Sequence, residues 1–158
     1  MLTDLSANRK RNKLIADTFE ENSSLKSVFL CSRKSQVEAL QKLIPNSVGI
    51  TSSNPKKKKD RDELIQKIKN DEIRNVVSTF GLFSTGMDVP ELQALYICSP
   101  VSSKTQIEQS IGRIIRAVEG KDNAYVFDFA DTKIWMLKSQ SDKRRNNIKN
   151  LIKSYNNG

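Results

Sequence analysis

The sequence predicts an α/β fold, with helices packed on both faces of a mainly parallel sheet. Two observations carry this. Five short apolar, β-branched runs recur along the chain, and helical patterns separate them. The runs are near-continuous rather than alternating, as strands covered on both faces are. Strand and helix in alternation build βαβ units and a layered sheet.

The runs are "SVFLCS" (27–32), "SVGITS" (47–52), "RNVVST" (74–79), "ALYICS" (94–99) and "AYVFDF" (124–129). Helical patterns fill about 8–22, 34–44, 55–70 and 103–118, with a last one near 141–155. Asn54 before Pro55 reads as an N-cap followed by proline at the first helical position. Ser102 or Ser103 can cap the helix after the fourth run. Pro45-Asn46 breaks the chain after the second helix. No repeat or linker divides the sequence, so it is read as one domain over 1–158. A leading helix occupies about 1–22, and a C-terminal helix with a frayed "YNNG" tail occupies 141–158.

The chain has 158 residues and a net charge of +9, from 27 Lys+Arg against 18 Asp+Glu. That balance favours an anionic partner, nucleic acid above all. With no histidine, metal sites built on His are excluded, as are Ser-His-Asp and Cys-His catalysis. Cys31 and Cys98 lie inside apolar runs, which predicts buried reduced thiols and an intracellular protein. No apolar run approaches the length of a membrane span.

The stretch "QSIGRIIR" (109–116) carries the first functional signal. On a helix, Gln109, Arg113 and Arg116 share one narrow stripe, while Ile107, Ile111, Ile114 and Val118 fall opposite. A second signal is the sheet edge. In open parallel sheets function gathers at the carboxyl ends of the strands. The residues leaving those ends are Ser32-Arg33, Thr51-Ser52-Ser53, Ser78-Thr79, Ser99-Pro100 and Asp128. Small hydroxyl residues there can bind phosphate oxygens, although Ser and Thr also simply end strands and cap helices. A third is "STFGLFSTGMD" (78–88), read as a glycine-flanked loop. Gly81 and Gly86 have P-loop spacing, but Met87 and Asp88 stand where Lys and Ser or Thr are needed. The chain thus has outward arginines and one acid, without the parts that hold a nucleotide. That is half of a shared site, in which arginine forks meet phosphate oxygens across a cleft.

These stretches together resemble the C-terminal RecA-like domain of superfamily 2 helicases. "QSIGRIIR" matches motif VI, Q-x-x-G-R-x-x-R. "STFGLFSTGMDVPEL" matches motif V, and "VFLCSRKSQVEAL" matches motif IV. The resemblance covers nearly the whole chain and looks nearest to the phage and large-DNA-virus helicases. It implies a RecA-like three-layer α/β/α domain with about five or six strands.

It also implies roles. Arg113 and Arg116 would be arginine fingers at the γ-phosphate of ATP, with Gln109 beside them. Gly86 and Asp88 would line the nucleotide cleft. Thr79 would contact the nucleic-acid backbone, with Ser32, Arg33 and Thr51 as further backbone residues. ATP and Mg2+ would be held mainly by an N-terminal RecA-like lobe of the same protein. DNA is implied over RNA, and the compartment would be the host cytoplasm or nucleus if the protein is viral. The sequence departs from many members at Thr85, where they have Arg, and at Ile115, where they have Gly. A contact made by the motif V arginine is not carried over.

Other features read more plainly. The run "PKKKKDRDELIQKIKN" (55–70) could bind DNA, but reads as a solvated helix face, since Asp60, Asp62 and Glu63 offset the lysines. In the last helix Ile148, Leu151, Ile152 and Tyr155 form a core or docking stripe, with Trp135 and Met136 as its anchors. Two rival functions remain. One is an RNA helicase or transcript-release factor using the same motor. The other is a nonenzymatic nucleic-acid-binding module, against which the Gln109, Arg113 and Arg116 set argues.

Overall fold

The computed structural model describes residues 9–86, 92–99, 103–117, 124–129 and 135–156. The elements run α1 (Arg9–Glu20), β1 (Ser27–Cys31), α2 (Lys34–Leu43), β2 (Ser47–Ile50), α3 (Lys58–Lys69), β3 (Asn75–Thr79), α4 (Phe80–Gly86), β4 (Ala94–Ile97), α5 (Lys104–Ala117), β5 (Tyr125–Asp128) and α6 (Trp135–Asn156). The strands form one five-stranded sheet in the order β2-β3-β1-β4-β5. All its pairings are parallel. Each βαβ crossover needs a helix to carry the chain back, which is why strand and helix alternate.

The strand period sorts the core into two layers. Val28 and Leu30 of β1, with Leu95 and Ile97 of β4, face a cluster built by α3, α4, α5 and α6 through Ile68, Phe80, Phe83, Ile107, Ile111, Ile114 and Ile148. Phe29 and Cys31, with Ala94 and Tyr96, face the other side, where α1 and α2 supply Ile15, Phe19, Val37 and Leu40. On that side Tyr96 stacks between Phe29 at 4.3 Å and Phe127 at 4.5 Å. Both faces of β1 and β4 are buried, as their unbroken apolar runs require.

Three expectations about elements are corrected. Asn54-Pro55 does not open α3. The Asn54 backbone exchanges hydrogen bonds with Thr51, at 2.8 Å one way and 3.4 Å the other, so it is committed to a tight turn. The helix begins after Lys57 instead. Phe80–Gly86 is a helix rather than a loop. Phe80 and Phe83, one turn apart, are both buried and hold it on the sheet. Gly81 is exposed with nothing near its α-carbon face, so it serves no close backbone approach. The last helix starts at Trp135, earlier than the expected 141. The predicted cap at Ser103 is present, its hydroxyl accepting the Gln106 N–H at 3.3 Å.

At the opposite end of the sheet Lys26 is 3 % exposed. Its ammonium donates to the Ile68 carbonyl at 2.6 Å and to Asp71 at 2.8 Å. A cation at the last turn of α3 satisfies an orphan carbonyl and complements the helix dipole.

Candidate functional site

Parallel register brings the carboxyl ends of all five strands to one edge. Thr79 ends β3 opposite Cys31 of β1, is half-buried, and leads directly into α4. Ser32 and Arg33 follow β1, and both are exposed. Arg33 is the N-cap of α2 and makes no side-chain cap. Thr51 follows β2 but is only 5 % exposed. Its hydroxyl accepts the Ser53 N–H at 3.3 Å, and its carbonyl accepts from Arg61 at 3.0 Å. Thr51 is therefore enclosed in its own turn, while Thr79 and Ser32 are the more open hydroxyls of the set.

The ends of β4 and β5 are closed by side chains that sequence reasoning missed. The Ser99 hydroxyl accepts the Ser32 N–H at 3.0 Å and donates to the Gln36 side-chain carbonyl. The Gln36 amide donates to Asn12 and to the Cys98 carbonyl, both at 3.1 Å. Arg11 Nε adds a bond to that same carbonyl at 2.9 Å. Beyond it, Asp128 at the end of β5 accepts from Arg144 Nε at 2.9 Å, and the Arg144 side chain is fully buried. A signal for these residues did exist. Asn12 shares the stripe of Ile15 and Phe19, Gln36 that of Leu40, and Arg144 that of Ile148 and Leu151. A polar residue on a helix's apolar stripe needs a buried partner.

The amphipathic reading of α5 holds in the described residues. Ile107, Ile111 and Ile114 are each 1 % exposed, while Gln109 is exposed and Arg113 half-buried. Arg113 leans onto α4, donating to the Ser84 carbonyl at 3.4 Å with its guanidinium 5.8 Å from the Phe83 ring centre. This contact joins the motif VI and motif V segments. Gly86 closes α4, and Arg116 lies one turn beyond Arg113 on α5. The Arg116 side chain, Asp88 and Val118 lie outside the described residues. A guanidinium held this way has a fixed fork suited to phosphate oxygens. Among the described residues no His, Cys, Asp and Glu group could hold a metal ion.

Cys31 and Cys98 belong to the same core cluster, on the α1 and α2 side of the sheet. Both are free and buried. Burial first, and then the neighbouring Cys98 thiol, push the Cys31 thiol well above its usual range. No described helix is long and apolar enough to cross a membrane.

Fold and motifs together mark a helicase C-terminal lobe, and the comparisons agree. The chain belongs to the helicase conserved C-terminal domain family, whose model matches residues 9–118. It is similar to the ATP-dependent helicase IRC3 of Saccharomyces cerevisiae, at 33% identity over 135 residues, covering 81% of this chain and 19% of that protein. It is also similar to the transcript termination protein A18 of cowpox virus, at 32% identity over 143 residues, covering 85% of this chain and 28% of that protein. The chain thus spans less than a third of the length of these relatives. Among solved structures, T4 UvsW superposes with a TM-score of 0.69 at 22% identity, covering 95% of this chain and 34% of that one. That likeness establishes the RecA-like three-layer fold.

Proposed function

We propose that this chain is the second motor lobe of an ATP-dependent DNA helicase or translocase. ATP, with Mg2+, is held mainly by a first RecA-like lobe. This lobe lends Arg113 and Arg116 to the γ-phosphate, with Gln109 alongside and Gly86 and Asp88 lining the cleft. Thr79 and Ser32 hold the strand backbone, with Arg33 and Thr51 at the margins. Closure of the two lobes on nucleotide, followed by release, moves the grip along the strand. Such a cycle runs on differential affinity for nucleotide between the open and closed states. The chain alone binds strand without turning over ATP.

What carries the reading is the face of α5. Its isoleucines are in the core, and Arg113 lies on the other side, oriented by Ser84. Backbone binding alone does not need that arrangement. In a protein with a first lobe joined to this chain, Arg113→Ala should cut strand-stimulated ATPase by roughly 10³–10⁵ while the melting midpoint holds. Near-parental turnover would end the assignment.

A second reading has its own support, because several relatives are poxvirus transcript termination proteins. In that case the same motor releases or unwinds RNA. ATPase stimulation by duplex DNA against RNA–DNA hybrid separates the two.

A further inference from the structure

The apolar stripe of α6 explains only one of its faces. Ile148 is buried in the core, Leu151 packs against the same cluster, and Arg144 is bonded to Asp128. These three fix which side of the helix meets the sheet. The side turned away carries Arg145, Lys149 and Lys153, all exposed. At about 100° per residue the three fall within one arc of about 80°. Successive members lie about 6 Å apart along the axis, the scale on which phosphates follow one another along a strand.

This face departs from those of other helices. The same i, i+4 spacing joins opposite charges at Lys13–Asp17 on α1, 2.8 Å apart, and at Lys104–Glu108 on α5, 3.6 Å apart. On α6 it joins like charges twice, which disfavours the helix. The segment 135–156 holds six Lys+Arg and one acid, Asp142. Among the described residues Arg145, Lys149 and Lys153 form no ion pair. The helix dipole accounts for a cation in the last turn, Lys153, and not for the other two. The helix also lies beyond residues 9–118, which the family model matches, so the family match does not account for this face. A row of like charges that the fold neither needs nor neutralises calls for an anion from outside.

We propose that Arg145, Lys149 and Lys153 form a duplex-docking face, which takes the phosphates of a double-stranded nucleic-acid arm. The helix is bonded to the edge strand β5 through Arg144 and Asp128, two places across the sheet from β1. Its outer face therefore stands to one side of Thr79 and Ser32 and does not continue their edge. The strand held there and the duplex held on α6 are parts of one substrate, a duplex with a single-stranded tail. The proposal rests on the reading of the chain as a nucleic-acid motor lobe and adds a second contact to it. The docking is sequence-independent and made by charge.

The test is binding of the 158-residue chain, without nucleotide, to two labelled probes. One is an oligothymidylate, and the other is the same oligothymidylate as the tail of a DNA duplex. The parent should bind the tailed duplex more tightly, with a steeper fall of log K against log salt. Arg145→Gln, Lys149→Gln and Lys153→Gln together should erase that advantage, flattening the slope by roughly 0.9 for each cation that neutralised a phosphate. Affinity for the tail alone should hold. A charge-matched control carries Lys42→Gln, Lys67→Gln and Lys69→Gln, where α2 and α3 end, and should keep the advantage. Lys149→Glu separates docking from folding. It makes i, i+4 pairs with Arg145 and Lys153, so the melting midpoint should hold or rise while the duplex advantage falls. No duplex advantage in the parent, equal loss in both triple variants, or equal loss on tail and tailed duplex would overturn the proposal. Failure of the strand-grip reading shows separately, as a tail affinity indifferent to Thr79→Val.

Discussion

Four of the five strand ends of this lobe divide into two regions built from similar residues. At β1 and β3, Ser32 is exposed and Thr79 half-buried. At β4 and β5, Ser99 and Asp128 are consumed by the fold itself. Ser99 bridges Ser32 and Gln36, and Asp128 holds the fully buried Arg144. The difference teaches that residue type at a strand end does not decide its use. What decides it is whether a neighbouring helix sends a polar side chain into the edge. Helices α1 and α2 send Asn12 and Gln36, and α6 sends Arg144. No such side chain from a neighbouring helix bonds to the Thr79 hydroxyl among the described residues.

This contrast is most easily broken at Arg144. Its guanidinium is the only described cation bonded to Asp128, whose other oxygen is buried without a hydrogen bond. Arg144→Met would strand a buried carboxylate and cost about 3–5 kcal/mol of folding stability. Urea unfolding measures it. Adding Asp128→Asn should recover part of the loss, since the leftover charge is the larger part of the penalty. A change within about 1 kcal/mol would mean that water reaches Asp128 and the pair anchors nothing.

The next effect is smaller. Ser99→Ala leaves the Ser32 N–H without its acceptor and the Gln36 carbonyl without its donor. Gln36 is fully buried, and an unsatisfied buried group of this kind costs about 1–3 kcal/mol in stability. Strand affinity, corrected for the folded fraction, should not move. A variant that folds as well as the parent but binds strand more weakly would place Ser99 among the open hydroxyls.

Most of the fold is legible in the sequence, because continuous apolar runs and helical stripes are direct records of burial. Strand positions agree within a residue or two, and the face of α5 is correct wherever it is described. Errors arise where two signals compete. Gly81 and Gly86 advertise a loop, but Phe80 and Phe83, one turn apart, win through burial. Asn54-Pro55 advertises a helix start, but the reciprocal bond to Thr51 takes the Asn54 backbone. The edge residues are visible as a set, yet their division is not. That division depends on Asn12, Gln36 and Arg144, which are distant in sequence and only meet the edge after folding. Their presence on apolar stripes is the one local trace of it.

Thr79 is where the contrast can be sharpened with the least disturbance. Its hydroxyl lies at the end of β3, half-buried, beside the backbone of β1. Thr79→Val keeps the branched shape that suits a strand and removes only the donor. If the hydroxyl grips a backbone phosphate, strand affinity without nucleotide should fall by about 0.5–1.5 kcal/mol, the worth of one hydrogen bond. Folding stability should stay within about 0.5 kcal/mol of the parent. Ser99→Ala should give the reverse pattern, with stability reduced and affinity kept. The two variants measured side by side therefore separate an open strand end from a closed one. If Thr79→Val lowers stability as much as Ser99→Ala and leaves affinity untouched, the two regions are alike. The backbone contact would then have to be sought at Ser32.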